Sequence, residues 1–392
     1  MEDMVIVGAA RTPIGSLNGC LAAVPATRLG SIAASEALHR ARVEPAQVDE
    51  TIFGNVLSAG LGQAPARQVA MGAKVPVTAG ALTVNKVCGS GMMAAILAAN
   101  RIQVGEVEMV LAGGMESMSR APYLLDRARG GYRLGHAQLL DSMILDGLWD
   151  AHTQFSMGLC GELCAEKYGF TREAQDDYAA QSYTRAVAAQ AAGQFAEEIV
   201  PVEISRRTGQ AETVAEDEEP KRGDLAKMRR LKPAFKEGGT VTAANAPSVN
   251  DGAAALVMTS ARRAETLGLT PLVRIAGVTG AATAPEWFTI APIEAMHKLF
   301  KKTGWSVDGV DLFEINEAFS VVAMAAIQEL ALDPARVNVK GGAVALGHPI
   351  GASGARILVT LLYAMSDRGA RRGVAAICLG GGEALAMAVE RC

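Results

Sequence analysis

Val84-Asn85-Lys86-Val87-Cys88-Gly89-Ser90-Gly91-Met92-Met93-Ala94-Ala95-Ile96-Leu97 joins three patterns: an apolar run, a glycine-flanked elbow, and small residues at helical spacing. Met92, Ala95, Ile96 and Ala99 fall on one stripe, which predicts a helix from Gly91 to Ile102. Ala352-Ser353-Gly354-Ala355-Arg356-Ile357-Leu358 repeats the pattern about 260 residues later, a period far too long for a solenoid. Working outward, Val48-Asp49-Glu50-Thr51-Ile52-Phe53 resembles Val310-Asp311-Leu312-Phe313-Glu314-Ile315. Val110-Leu111-Ala112-Gly113-Gly114 likewise resembles Ile377-Cys378-Leu379-Gly380-Gly381. The order is the same both times: strand, glycine-flanked helix, strand, Gly-Gly. Alternation of buried strands and helices predicts an α/β fold with buried, largely parallel sheets. The duplication predicts two similar half-domains, residues 1–118 and 250–392, packed back to back. Between them, 119–249 reads as an inserted, loop-rich lobe, the usual place for ligand contacts. There Thr171 is placed to cap a helix running to about Gln194, ahead of an acidic run and then a basic one.

Composition narrows the function classes. With 392 residues, 50% hydrophobic and 20% charged, the chain is neither disordered nor a charged tail. The 37 basic and 41 acidic residues leave a net charge of -4, which argues against nucleic acid as a partner. No apolar stretch of about 20 residues is free of charge, so no membrane span is expected. Met1-Glu2-Asp3 is acidic, Val5-Ile6-Val7 already reads as a strand, and no Ser-Lys-Leu closes the chain. The expectation is a cytoplasmic protein whose six cysteines stay reduced. Each cysteine is then a buried small hydrophobe or a reactive thiol.

Cys88 lies between a strand and a helix start, where backbone N–H groups and the helix dipole are expected to lower its thiol pKa. Gly89-Ser90-Gly91-Met92-Met93-Ala94 also fits a dinucleotide fingerprint, but Cys88 would narrow the backbone approach that pyrophosphate needs. His348, between Gly347 and Pro349, sits on a turn; the other four of the five histidines look structural or superficial. It occupies the repeat position nearest Cys88, and a Cys–His pair can attack acyl carbonyls. Cys378 ends another strand, ahead of bare backbone whose Gly380 N–H can stabilise an oxyanion. Asn316-Glu317-Ala318-Phe319 closes the strand at Ile315. Cys160 and Cys164 share a helix face, but no second Cys/His pair sits at zinc spacing, so no metal is expected. The basic residues Lys221, Arg222, Lys227, Arg229, Arg230, Lys232 and Lys236 either meet phosphates or form a solvated face answering the acidic run.

Together these segments resemble the thiolase family, especially its acetyl-CoA acetyltransferase branch, over essentially the whole chain. The resemblance includes Ala9-Ala10-Arg11-Thr12-Pro13-Ile14-Gly15, Gly113-Gly114-Met115-Glu116-Ser117-Met118-Ser119 and Gly239-Thr240-Val241-Thr242-Ala243. It implies a five-layered αβαβα fold with mixed, largely parallel sheets, and an acyltransferase joining two acetyl-CoA into acetoacetyl-CoA, or cleaving 3-ketoacyl-CoA, by ping-pong through an S-acyl cysteine. It makes Cys88 the nucleophile, His348 its base and Cys378 the acid/base. Asn316 and His348 would polarise the second thioester, while the N–H groups of Cys88 and Gly380 form the other oxyanion hole. Coenzyme A enters as substrate, with no separate cofactor. Its implied contacts are Leu148, Met157, Phe235, Ala243, Ala318 and Phe319, with Lys221 or Arg222 at the adenosine end. A dimer is implied, and a tetramer through an arm resembled by residues 127–145.

Several positions depart from the family pattern. Ser156 replaces the branch's histidine, Pro247 a serine, Phe288 a methionine and Lys340 an asparagine. Glu383 follows the glycines after Cys378, where a charge must be solvated, paired or protonated. These departures leave open a longer-chain 3-ketoacyl-CoA thiolase and a thiolase-like protein that binds acyl-CoA without turnover. A decarboxylating condensing enzyme would typically pair one cysteine with two histidines, or with His and Asn, so Cys378 argues against it.

Overall fold

The computed structural model describes residues 2–205 and 211–392; Met1, included in the first expected half, lies outside them. The first half runs β1 (Met4–Arg11), α1 (Ala26–Ala41), β2 (Glu50–Gly54), α2 (Pro65–Gly72), β3 (Gly80–Val84), α3 (Ser90–Gln103) and β4 (Met109–Ser117). The lobe contributes α4 (Met157–Tyr168) and α5 (Arg172–Ala191), and β5 (Asn250–Ser260) follows. The second half runs β6 (Val273–Ala282), α6 (Ala291–Thr303), β7 (Leu312–Ile315), α7 (Ser320–Glu329), α8 (Ile350–Arg368), β8 (Arg372–Leu379) and β9 (Glu383–Glu390). The main strands hydrogen-bond in the order β7-β8-β9-β6-β1-β5-β4-β2-β3. The halves join there through only Val5 with Arg274 and Ile6 with Val273.

Two expectations change. The sheet is mixed, as expected, but mostly antiparallel rather than largely parallel. β2 pairs parallel with β3 and β4, and β7 with β8. β5, however, runs antiparallel to β1 and β4, and β9 to β6 and β8. The reason lies in Gly380-Gly381-Gly382. Gly381 and Gly382 adopt φ of +86° and +84°, so the chain folds straight back into a hairpin pairing Leu379 with Glu383. In the first half the same connection, β4 to β5, is interrupted by the lobe. The half-domain boundary at 250 therefore does not hold: Asn250 opens β5, the strand that completes the first half.

Period-two alternation builds the layers. Ile6, Val110, Ala112, Leu256 and Met258 face α3 and α8. Their neighbours Val5, Val7, Leu111 and Val257 pack against α1 and α2. In the second half Ile377, Leu385 and Met387 face the central helices, while Val374, Ala376, Ala384 and Ala386 face α6 and α7. Helices, sheet, two central helices, sheet and helices make five layers. The central pair approaches backbone to backbone: a Cβ on Gly91 would lie 2.7 Å from the Ala355 nitrogen, and one on Gly354 2.5 Å from the Met92 nitrogen.

The lobe is pinned to this frame by charge. Buried Arg11 meets Asp217 through two hydrogen bonds, 2.7 and 2.8 Å, and Glu198 at 2.6 Å. Lys340, also buried, donates to the Gln194 carbonyl at 2.8 Å and pairs with Asp367 at 2.7 Å. Thr171 caps α5 by accepting from the Ala174 N–H, and the helix ends at Ala191. Among the described residues no helix is long and apolar enough to cross a membrane.

Candidate active site

The Cys88 elbow is a tight, costly turn. Val87 has φ +46°, a left-handed conformation unusual for a β-branched residue. Ser90 holds it: its Oγ accepts from the Lys86 N–H at 2.8 Å and donates to the Val87 carbonyl at 2.6 Å. Cys88 is thereby presented just ahead of α3. The hairpin end of β8 abuts this elbow, since a Cβ on Gly89 would lie 2.6 Å from the Leu379 side chain. The Gly380 N–H is aimed at the Cys88 sulfur. Lys86 and Glu383 form an ion pair across the two loops, which accounts for the unexpected charge at 383. Cys378 lies fully buried behind, in a cluster with Cys164, Phe288, Ala318 and Val321.

His348 is delivered by the second half and held by the first. Its N–H donates to Asn250 Oδ1 at 2.8 Å, and the Asn250 amide donates to the Gly15 carbonyl at 3.0 Å. Its Nδ1 lies 2.6 Å from Ser353 Oγ, and its Nε2 has no partner. Asn316 is fully buried with both carboxamide atoms unpartnered, its backbone fixed by the Ala376 carbonyl at 2.9 Å. Unsatisfied buried polar atoms are rare enough to mark a place for a water or a substrate.

Cys88 and His348 line one cavity of about 160 Å³. Of the expected coenzyme contacts, Leu148, Met157, Phe235, Ala318 and Phe319 line it too. Ala243 does not, and neither do Lys221 and Arg222, which pair with Glu216 and Glu218. Arg229 is likewise paired, to Asp177, so three residues of the basic run are matched by carboxylates. Ser156, Pro247 and Phe288 all line the cavity, so three of the family departures sit where a substrate would. Phe319 is flanked by Phe235 at 6.1 Å and Phe288 at 6.4 Å between ring centres.

The electrostatics overturn one expectation. Burial pushes the Cys88 thiol up to about 12, outweighing the Gly380 and Cys88 N–H groups that favour the thiolate. Burial, helped by the Arg356 charge, drives His348 down to about 3. Burial first, and then nearby Cys88, raises Cys378 well above the ordinary thiol value. The resting site is neutral thiol, neutral imidazole, neutral thiol.

Two carboxylates within the sequence motifs organise the site in a way not expected from the sequence. Buried Glu116 accepts from Asn55 Nδ2 at 2.8 Å, from the Val56 and Leu57 N–H groups at 3.0 and 3.2 Å, and from the Gly351 N–H at 3.0 Å. It thus ties the first half to the start of α8. Glu317 accepts from Tyr178, Ser182, Asn338 and the Val344 N–H, fixing the segment before His348. A carboxylate within an otherwise apolar run was the available signal for both. Cys160 and Cys164 are buried in α4, and among the described residues no group of three His, Cys, Asp or Glu could hold a metal ion.

Two family models cover the chain, the thiolase N-terminal domain over residues 4–262 and the thiolase C-terminal domain over 269–391. The chain belongs to the thiolase family. Acetyl-CoA acetyltransferase 2 of Arabidopsis thaliana is 54% identical over 99% of this chain and 97% of its own length. The Cupriavidus necator acetyl-CoA acetyltransferase is 51% identical over the full length of both. Among solved structures, an Ascaris suum thiolase in complex with coenzyme A superposes with a TM-score of 0.95 at 45% identity, covering both chains fully. A Syntrophomonas wolfei acetyl-CoA acetyltransferase gives 0.97 at 41%, also with full coverage. The thiolase models part between 262 and 269, after β5, consistent with that strand completing the first half.

Proposed function

We propose that this thiolase is an acetyl-CoA C-acetyltransferase, catalysing the reversible condensation of two acetyl-CoA to acetoacetyl-CoA and coenzyme A. The observation that carries the reading is the meeting of Cys88 and His348 in one apolar cavity, with the Gly380 N–H on the sulfur and the His348 Nε2 left free.

In the first half-reaction Cys88 passes its proton to His348 Nε2 as its sulfur attacks the acetyl-CoA carbonyl. The oxyanion rests on the Cys88 and Gly380 N–H groups, each worth roughly 3–4 kcal/mol of barrier. The bond to the coenzyme sulfur breaks, and Cys378 protonates the departing thiolate. In the second half the Cys378 thiolate removes a proton from the methyl of a new acetyl-CoA. Its thioester oxygen is polarised by protonated His348 and by a water on Asn316. The carbanion attacks acetyl-Cys88, and the Cys88 sulfur leaves and takes back the proton on His348. Protons balance over the cycle, and no cofactor is needed.

Leu148, Met157, Phe235, Ala318 and Phe319 suit the pantetheine arm, while exposed Lys221 and Arg222 would meet the adenosine end outside the cavity. The bulk of Phe288 favours short acyl groups. Following the loss of 3-ketoacyl absorbance with acetoacetyl-CoA and coenzyme A, then with longer chains, tests both statements. Activity is expected with acetoacetyl-CoA and absent in Cys88→Ala. Full activity of that variant would remove the mechanism, and no activity in the wild type would leave an acyl-CoA-binding protein.

A cytoplasmic homodimer, doubled to a tetramer, is the assembly we favour, in the fatty acid metabolism to which these thioesters belong. Exposed Val77 and Leu82 near edge strand β3, exposed Leu134 and Leu139 on the arm, and exposed Tyr123 and Leu125 just before it support it. Light scattering giving a monomer would refute it.

A further inference from the structure

We infer that Ser353, one helical turn into α8, is a positioning residue that fixes the tautomer of His348 so that Nε2 faces the cavity as an unprotonated acceptor. The inference rests on the reading of His348 as the base that takes the Cys88 proton. A serine hydroxyl has a single proton to give. Ser353 Oγ lies 2.9 Å from the Pro349 carbonyl and 2.6 Å from His348 Nδ1. The carbonyl can only accept. If the hydroxyl proton goes to Pro349, the oxygen's lone pair receives the Nδ1–H and both contacts are hydrogen bonds. If it turns to Nδ1 instead, two oxygen lone pairs face each other at 2.9 Å. The Pro349 carbonyl already receives the Ala352 and Ser353 N–H groups, at 2.9 and 3.0 Å, so it cannot swing away without loosening the first turn of α8. The geometry therefore puts the imidazole proton on Nδ1. Nε2, which has no protein partner, is left with its lone pair on the wall that Cys88 shares.

The chemical character of this support matters as much as its geometry. A carboxylate behind a histidine would hold the imidazolium that forms when the proton arrives. Ser353 is neutral, and the charged group acting on His348 is Arg356, of like sign to an imidazolium. A histidine so placed holds the Cys88 proton with no counter-charge behind it and gives it back readily when the Cys88 sulfur leaves. That suits a reaction that must run in both directions.

The test reads the tautomer without relying on turnover. The full-length protein, labelled with nitrogen-15 histidine, is compared with Ser353→Ala and Ser353→Thr, the five histidines being resolved by substituting His348. In the wild type His348 is expected as the Nδ1–H form at neutral pH; an Nε2–H form there overturns the inference whatever the variants do. Ser353→Ala is expected to give a mixed tautomer and to lower kcat roughly 10- to 100-fold, the range for removing a partner that orients a reacting group, with KM held within about twofold. Ser353→Thr keeps the hydroxyl and is expected to keep the tautomer and most of kcat. An unaltered tautomer and kcat in folded Ser353→Ala would overturn the role. If acyl transfer itself proved absent, the nitrogen-15 spectrum would still report the tautomer, so the two failures are distinguishable.

Discussion

Removing the Cys378 sulfur should separate the two half-reactions, and the structure says by how much. Acetyl transfer from coenzyme A to Cys88 exchanges one thioester for another, and a thiolate with a pKa near that of free cysteine leaves with little help. Carbon–carbon bond making or breaking is different, because a carbanion must gain or lose a proton. Only a group within reach in the required state can do that. His348 cannot replace Cys378 as the acid, since the proton it holds after the first attack is the one it must return to Cys88 when that sulfur leaves. Cys164 is in the same buried cluster, but its own thiol is pushed up to about 11 and its Sγ is directed at the Val321 carbonyl. With no substitute, Cys378→Ala should lose a general acid–base contribution of about 10²–10⁴ in condensation and thiolysis, or about 3–5 kcal/mol of barrier. The loss of one buried sulfur should cost only about 1 kcal/mol of stability. The assay is a pair of measurements on one preparation: mass spectrometry of the Cys88 peptide after brief exposure to acetyl-CoA, and the absorbance assay with acetoacetyl-CoA. S-acetyl-Cys88 should form at near the wild-type rate while ketoacyl turnover collapses. Equal loss in both assays would mean that Cys378 holds the site's shape. Equal retention would mean that the proton goes elsewhere.

Other outcomes follow from the same geometry. Because His348 is lowered to about 3 and both thiols are raised, none of the three reacting groups changes protonation between about pH 5 and 9. The kcat/KM for acetoacetyl-CoA should therefore lack a histidine inflection, and one near pH 6–7 that vanishes in His348→Asn would refute the neutral resting site. Asp217→Ala leaves the buried Arg11 guanidinium with Glu198 as its one acidic partner and strands the Ile14 N–H, so urea unfolding should show a loss of about 3–5 kcal/mol; a loss below 1 kcal/mol would mean that the lobe is held by packing. The Lys86–Glu383 pair is 25% and 39% exposed, so it should contribute only about 0.2–1 kcal/mol to stability. Each single charge removal should still lower kcat severalfold by letting the two loops drift, and the reversed pair Lys86→Glu with Glu383→Lys should recover it. A reversed pair no better than the singles would show that the contact does not register the loops.

What the sequence disclosed depended on whether the physical cause was local. Cys88, His348, Asn316 and Cys378 sit on turns or strand ends flanked by glycine, proline or polar residues, and those signals lie within a few positions of each. The roles assigned to them came from the resemblance. The duplication was legible because both copies keep the same small residues at helical spacing. The hairpin was missed although its signal was present: three glycines between two apolar runs mark a reversal more directly than a crossover. The pKa of Cys88 was read in the wrong direction for a deeper reason. A helix start can be seen in sequence, whereas the burial that outweighs it comes from residues as distant as Phe319 and Ile350 lining the same cavity. Asn250, Glu116 and Glu317 act on backbone groups from 27 to 235 positions away, and no spacing rule reaches them.

The position of the site follows from the duplication itself. Each half contributes one central helix, and each helix is preceded by a tight turn: Cys88 before α3, His348 before α8. Gly91 and Gly354 let the two helices cross at backbone distance, so the turns at their starts are brought onto one cavity. The nucleophile and its base therefore each sit two residues before the start of a central helix, one in each copy. The remaining asymmetry lies in the β-hairpins. In the second half the connection is three glycines, short enough to keep Cys378 near Cys88 and the Gly380 N–H aimed towards its sulfur. In the first half that connection has been opened to admit the whole lobe, whose Leu148, Met157 and Phe235 wall the cavity on the other side. One copy of the turn thus supplies the chemistry and the other the substrate tunnel. This division also explains why residues fastening the halves together, such as Asn250 to His348 and Glu116 to Gly351, cluster at the helix starts rather than along the shared sheet, where only two residue pairs join them.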